Sequence, residues 1–212
     1  NRKMNKYTLR EKIEKNLEIL NNGLVGKEKV MKLGLLSILS GENMILVGPP
    51  GTAKSEISRR LREILADSGS ETYFEYLFTK FTTPEEIFGP LSIKQLQNDK
   101  FERNTEGYMP SSRIVFLDEI FKANSSILNT LLTILNERVF HNGLKREKTP
   151  LISLIGASNE LPFENDELTA LYDRFLIRVV VGYVSDDEIE ELLDIKETEM
   201  EIPAEIKFTE SD

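Results

Sequence analysis

The stretch "GPPGTAKS", Gly48 to Ser55, decides how the rest of the chain is read. It departs by one residue from G-x-x-x-x-G-K-[ST], the loop whose backbone N–H groups cradle nucleotide phosphates between a strand and a helix. Gly48, Lys54 and Ser55 fit, but Ala53 replaces the glycine before the lysine. In such a loop Pro49, Pro50, Gly51, Thr52 and Ala53 turn N–H groups toward phosphate oxygens. The following helix adds its positive N-terminal end. Lys54 would meet the β- and γ-phosphates, and the Ser55 hydroxyl would ligate Mg²⁺. If position 53 is left-handed, the alanine Cβ costs about 1–2 kcal/mol, which ligand contacts can offset. The alternative is a glycine-rich strand-to-helix turn without a ligand.

Outward from the loop, "NMILVG" (43–48) reads as a buried strand before it. Ile57, Leu61, Ile64 and Leu65 mark one face of a helix after it. Upstream, Thr8 and Glu11 form a capping box ahead of Leu9, Ile13, Leu17 and Leu20. A second, more apolar helix is expected over about residues 27–40. Downstream, "YFEYLF" (73–78), "IVFLDE" (114–119), "LISLIGASN" (151–159) and "FLIRVVVGY" (175–183) read as further strands. Thr83 to Glu86 combines a cap, a first-turn proline and a box glutamate. Residues 124–137 carry helical spacing. Alternating strands and helices predict an α/β fold, a parallel sheet with helices on both faces.

Ligands of such sheets bind at the carboxyl ends of the strands. Polar residues stand there: Lys54 and Ser55, then Asp118 and Glu119, then Ser158 and Asn159. Asp118 would hold Mg²⁺ through water. Glu119 would orient or deprotonate an attacking water. The alternative is two solvated acids. Asn159 could bond the γ-phosphate or that water, or simply form a turn. Arg174 could serve as an arginine finger or pair with a surface acid. Lys122 could reach toward phosphate but reads more simply as solvated, and His141 as a hairpin residue. Two segments read as inserted hairpins. One is 89–112, with alternating "LSIKQLQ" and the turn "NDK". The other is 138–148, around Asn142-Gly143, a type I′ signal.

Composition narrows the function. The 212 residues include no cysteine and one histidine, so thiolate and histidine-rich metal sites are excluded. The net charge is -9, and residues 185–212 hold twelve of the 36 acidic residues. The body is therefore near neutral, without the basic excess that drives nucleic-acid binding. The acidic tail reads as a solvated segment, with a helical stretch at Ile189, Leu192 and Leu193 and a short strand after Pro203. The chain shows no signal peptide and no apolar run of membrane-spanning length, and a cytoplasmic location is expected.

"GPPGTAKS", "IVFLDEIFKANSSILNTLLTILNER", the "FHNG" hairpin, "GASNELP" and "ALYDRFLIR" occur in this order. Together they resemble AAA+ ATPases of the MoxR group over roughly residues 17–181. "FTTPEEIFGPLSI" resembles its RavA branch. Alanine before the lysine looks usual in that group. The resemblance implies an AAA+ P-loop NTPase core over 1–184, a five-stranded sheet of order 5-1-4-3-2, and ATP/ADP with Mg²⁺ as cofactors. It makes Asn159 look like sensor 1 and Arg174 like the arginine presented to a neighbouring subunit. Residues 89–112 look like a helix-2 insert and 138–148 like a pre-sensor-1 hairpin. It further implies a homo-hexameric ring that remodels or matures protein complexes, with a von Willebrand factor A domain partner and a protein substrate. The tail 185–212 is expected to lead toward a helical lid bearing a second arginine sensor, which nothing in the chain matches. Two other functions compete: a nucleotide-dependent binding scaffold with little turnover, and a nucleic-acid motor. GTP use stays open, because nothing in the loop reads the base.

Overall fold

The computed structural model describes residues 6–66, 73–162, 166–185, 188, 200–209 and 212. The tail helix expected around Ile189, Leu192 and Leu193 lies outside them. At the N-terminus α1 (Leu9–Asn21) starts on the Thr8–Glu11 capping box, and α2 (Glu28–Ser40) ends on left-handed Gly41. Then come β1 (Met44–Val47), α3 (Lys54–Arg62), β2 (Tyr73–Leu77), α4 (Pro84–Phe88) and α5 (Ile93–Leu96). They are followed by β3 (Ile114–Asp118), a 3₁₀ turn (Ile120–Lys122), α6 (Ser125–Glu137), and the pair β4 (Val139–Asn142) and β5 (Lys145–Lys148). Then come β6 (Ser153–Ser158), α7 (Asp166–Tyr172) and β7 (Ile177–Val180), and a 3₁₀ turn (Ala204–Ile206) follows Pro203 in the tail.

Five strands make one sheet of order β2-β3-β6-β1-β7, every neighbouring pair parallel. Leaving out β4 and β5, the sheet strands succeed one another from the β7 edge as fifth, first, fourth, third and second. Because strand side chains alternate between faces, the sheet feeds two separate cores. Met44, Leu46, Ile114, Phe116, Ile155 and Val179 pack with α1, α2 and α3. Ile45, Val115, Leu117 and Leu154 pack with α4, α6 and α7 on the other face.

Three expectations need correction. Residues 89–112 are not a regular hairpin. Leu91 and Arg103 form a single antiparallel bridge, and "IKQL" coils into α5. The reason is local: the Ser92 side chain accepts from the Gln95 N–H and caps a helical turn. The second hairpin does form, but Asn142 pairs with Lys145 and the loop is Gly143-Leu144. Gly143 has φ 62 and Leu144 is not among the positive-φ residues, so the turn is not type I′. Its Asn142 amide instead accepts from the Arg103 N–H at 2.6 Å and donates to the Arg103 carbonyl at 3.1 Å. That tie fastens the hairpin to the 89–112 segment. Finally, the tail is not simply solvated. Ile202, Ile206 and Phe208 are buried in the α1–α3 core, and Phe208 pairs with Leu65 beyond α3. Three apolar side chains outweigh an acidic average when they have a core to enter.

Candidate functional site

Gly48 follows β1 at the end where β7 also stops, and its N–H donates to the Ser158 carbonyl of β6 at 3.0 Å. A Cβ at Gly48 would collide with the Val181 carbonyl oxygen, so only glycine lets the loop leave the sheet here. Gly51 takes φ 81, and Ala53 sits at φ 63, ψ 24, the left-handed conformation. This geometry turns the chain abruptly into α3 with Lys54 as its first residue. The Thr52 hydroxyl closes the loop on the Pro49 carbonyl at 2.9 Å.

Lys54 is only 7% exposed. Its ammonium donates to the carbonyls of Gly48 (2.6 Å) and Pro49 (2.9 Å) and to Asn159 Oδ1 (3.1 Å). All three contacts are neutral oxygens. Burial pushes the ammonium below the ordinary lysine range, and Asp118 and Glu119 pull it part of the way back. Ser55 is half-buried on the first turn of α3.

Asp118 closes β3 and Glu119 follows at φ 53, ψ 40. Asp118 Oδ1 accepts from the Glu119 N–H at 2.9 Å, which holds that left-handed residue in place. The Glu119 carboxylate lies 3.5 Å from the Lys122 ammonium. Lys122 stays 47% exposed, so it is solvated as the sequence reads it while also facing this acid. Asn159 follows β6, which lies between β1 and β3. Next to it the Ser158 hydroxyl donates to the Glu160 carbonyl at 2.7 Å.

The structure therefore brings Lys54, Asn159, Asp118 and Glu119 to one end of the sheet. It does not bring Arg174 there. In β7, Ile177 lies beside Met44 and Val180 beside Val47, so the turn before β7 is at the opposite end of β1 from Gly48. Four strand residues at about 3.3 Å each separate the two ends by roughly 13 Å. Arg174 is exposed, and no ion pair among the described residues holds it.

The sequence reading misses a pocket of about 320 Å³ beside the loop, lined by Gly23 to Val25, Lys27, Gly51 to Ala53, Tyr183 and Val184. Lys27 is buried, and its ammonium binds the Gly182 carbonyl at 2.7 Å, tying the segment before α2 to the end of β7. The only sequence signal was the pair of glycines around "LV", which by itself reads as a helix end. A larger cavity, about 1080 Å³, opens at the amino ends of β3 and β6, away from these residues. Two of its charged residues, Glu102 and Arg103, are already paired with Lys145 and Glu85.

These groups fit a nucleotide with Mg²⁺. A buried ammonium held only by neutral oxygens suits added phosphate, and one carboxylate with one hydroxyl suits a metal that takes its remaining ligands from phosphate and water. The family described as the MoxR domain of MoxR–vWA–β-propeller ternary systems matches residues 11–207. An uncharacterised protein of Methanocaldococcus jannaschii is 53% identical over 188 residues, covering 88% of this chain and 48% of its own length. A chaperone named MoxR1 from Mycobacterium tuberculosis is 26% identical, covering 80% of this chain and 44% of its own. A crystal structure of a candidate ATPase from Cytophaga hutchinsonii superposes with a TM-score of 0.68 at 20% identity, over 87% of this chain and 55% of that one. The chain spans about half the length of the curated relatives it matches. No helix among the described residues is long and apolar enough to cross a membrane.

Proposed function

Because this chain belongs to the MoxR family of AAA+ ATPases, we propose that it binds ATP with Mg²⁺ and hydrolyses it to drive the remodelling or maturation of protein complexes. The observation that carries this reading is Lys54: a buried ammonium in contact with Asn159, held by neutral oxygens, and within the field of Asp118 and Glu119.

The loop from Gly48 to Ala53 would bind the triphosphate through its N–H groups, and the ammonium of Lys54 would exchange carbonyl oxygens for phosphate oxygens. Asp118 and the Ser55 hydroxyl would hold Mg²⁺, which when bound supplies charge neutralisation at the phosphates. Glu119 would orient the attacking water and accept its proton. Asn159, already within hydrogen-bonding reach of Lys54, would report on the terminal phosphate. The pocket at Val25 and Val184 would take the base. Arg174 faces away from its own site, which supports a role in trans toward the nucleotide of a neighbouring copy in a ring. The family's description with a vWA component supports a partner of that type. "FTTPEEIFGPLSI" supports the RavA-like branch, and the neutral body argues against a nucleic-acid motor.

Steady-state turnover of ATP by the full-length protein tests this, beside Glu119→Gln. The amide is isosteric but a far poorer base, so binding should persist while turnover falls about 10²–10⁴-fold. A wild-type protein that binds ATP but does not turn it over would be the scaffold instead. Near-normal turnover by the variant would remove Glu119 from the mechanism.

A further inference from the structure

The direction of Arg174 is set by its neighbours. Leu171 and Phe175, three residues before it and one after, are fully buried. The Phe175 ring rests on β6 at Gly156, where a Cβ would come within 3.1 Å of it. With both anchors turned inward, residue 174 points out. A turn anchored only from inside can still rock, and a second arginine grips it from outside. Arg178 of β7 donates through Nε to the Phe175 carbonyl at 2.9 Å and through a terminal nitrogen to the Asp173 carboxylate at 3.2 Å. Its guanidinium lies over the Tyr172 ring, 4.2 Å from the centroid. One planar group thus touches residues 172, 173 and 175. Arginine suits this because a flat, forked cation can stack and donate in two directions at once, which an ammonium cannot.

We propose that Arg178 is a positioning residue for Arg174: it locks the turn between α7 and β7 so that Arg174 is presented in a single orientation to the adjoining subunit. This rests on the reading of Arg174 as a residue that acts in trans. The same grip reaches the acid-bearing turn. Phe121, two residues after Glu119, packs edge-on against Tyr172 with centroids 6.1 Å apart. The last residue of α7, on which the Arg178 guanidinium rests, therefore touches the 3₁₀ turn that follows Glu119.

The Arg178–Asp173 pair is 40% and 64% exposed, so it adds little to stability, and Arg178→Ala should fold. In the full-length protein we expect its kcat to fall about tenfold or more, since a misplacement of about 1 Å can cost about 10²-fold. ATP affinity should stay within about twofold. Arg178→Lys keeps the charge but not the fork or the stack, and should not rescue. Mixing separates positioning from damage. Arg178→Ala mixed with Glu119→Gln should regain activity, because some interfaces then pair an intact Glu119 with a well-held Arg174. Arg178→Ala mixed with Arg174→Ala should not. Wild-type turnover by Arg178→Ala overturns the inference. So does a mixture with Glu119→Gln that stays inactive while native mass spectrometry shows mixed rings. Full turnover by Arg174→Ala overturns instead the trans reading on which it rests. Should circular dichroism show Arg178→Ala unfolded, Asp173→Ala removes one grip alone. A smaller loss in the same direction supports the inference, and unchanged turnover overturns it.

Discussion

Two buried lysines sit on opposite sides of a single question. Lys12 of α1 is 2% exposed and Lys54 is 7% exposed. Lys12 donates to both oxygens of Asp212, at 2.9 and 2.8 Å, and faces the Lys207 carbonyl at 3.4 Å. Its charge is met by an opposite charge. Lys54 touches only carbonyls and an amide oxygen, and its acids act from further away. The first arrangement holds the tail segment to α1, helped by the Asn16 side chain on the Ile206 carbonyl at 2.9 Å. The second leaves a cation ready for an anion. The same residue type, buried to a similar degree, is a fastener in one place and, on the proposed reading, a receptor in the other.

That contrast can be broken from either side. The largest effect is expected at Lys54. Lys54→Ala should lower ATP affinity about 100-fold or more, some 3 kcal/mol, with the fold retained, because its present partners are loop carbonyls that water can reach once the side chain is gone. Isothermal titration showing unchanged affinity would refute the assignment.

Lys12→Ala should do the reverse. It leaves the Asp212 carboxylate buried without its cation, a change that costs about 3–5 kcal/mol. A fall in Tm of roughly 10 °C should follow, with ATP affinity at 25 °C unchanged. Acid sharpens the test. Burial pushes Asp212 up, but the Lys12 ammonium with the Thr209 N–H and hydroxyl outweighs it and holds the carboxyl below its ordinary 3.8. A depressed carboxyl gives its stability in full above the unfolded value and loses it as pH falls through the folded one. The gap between wild type and Lys12→Ala in urea titrations should therefore narrow below about pH 4. A gap that widens there would contradict the pairing.

The smallest effect is expected at Ala53. Glycine removes a left-handed Cβ penalty of about 1–2 kcal/mol and returns about 0.5–1 kcal/mol in chain entropy. Ala53→Gly should raise stability by a net 0.5–1 kcal/mol, about 1–4 °C in Tm, and leave ATP affinity within about twofold. A loss of stability would mean that the loop needs the methyl group.

Much of the fold is legible along the chain. β1, β3 and β6 are continuous apolar runs because they are buried on both faces, and their ends carry the polar residues that converge on Lys54. The capping boxes at Thr8 and Thr83 are local hydrogen-bond patterns, which the structure contains as read. Where the reading goes astray, a local signal competes with a distant partner. "LSIKQLQ" alternates like a strand, yet Ser92 caps it into a turn of helix. Asn142-Gly143 looks like a turn pair, yet the Asn142 amide is drawn to Arg103, 39 residues away. The tail is acidic on average, yet Phe208 finds Leu65.

The layered α/β plan, the glycine-rich loop between β1 and α3 and the order of the polar strand ends can all be read along the chain alone. These depend on periodicity, on short motifs and on the rule that parallel strands present their carboxyl ends together. Which charges are satisfied and which are left available depends on the packed molecule. It set Lys12 against Asp212 across 200 residues, left Lys54 among neutral oxygens, turned Arg174 away from its own site and put Arg178 over the turn that carries it. Such pairings depend on distances between segments far apart in the chain, and the energy of a buried charge depends on what lies within a few ångströms of it.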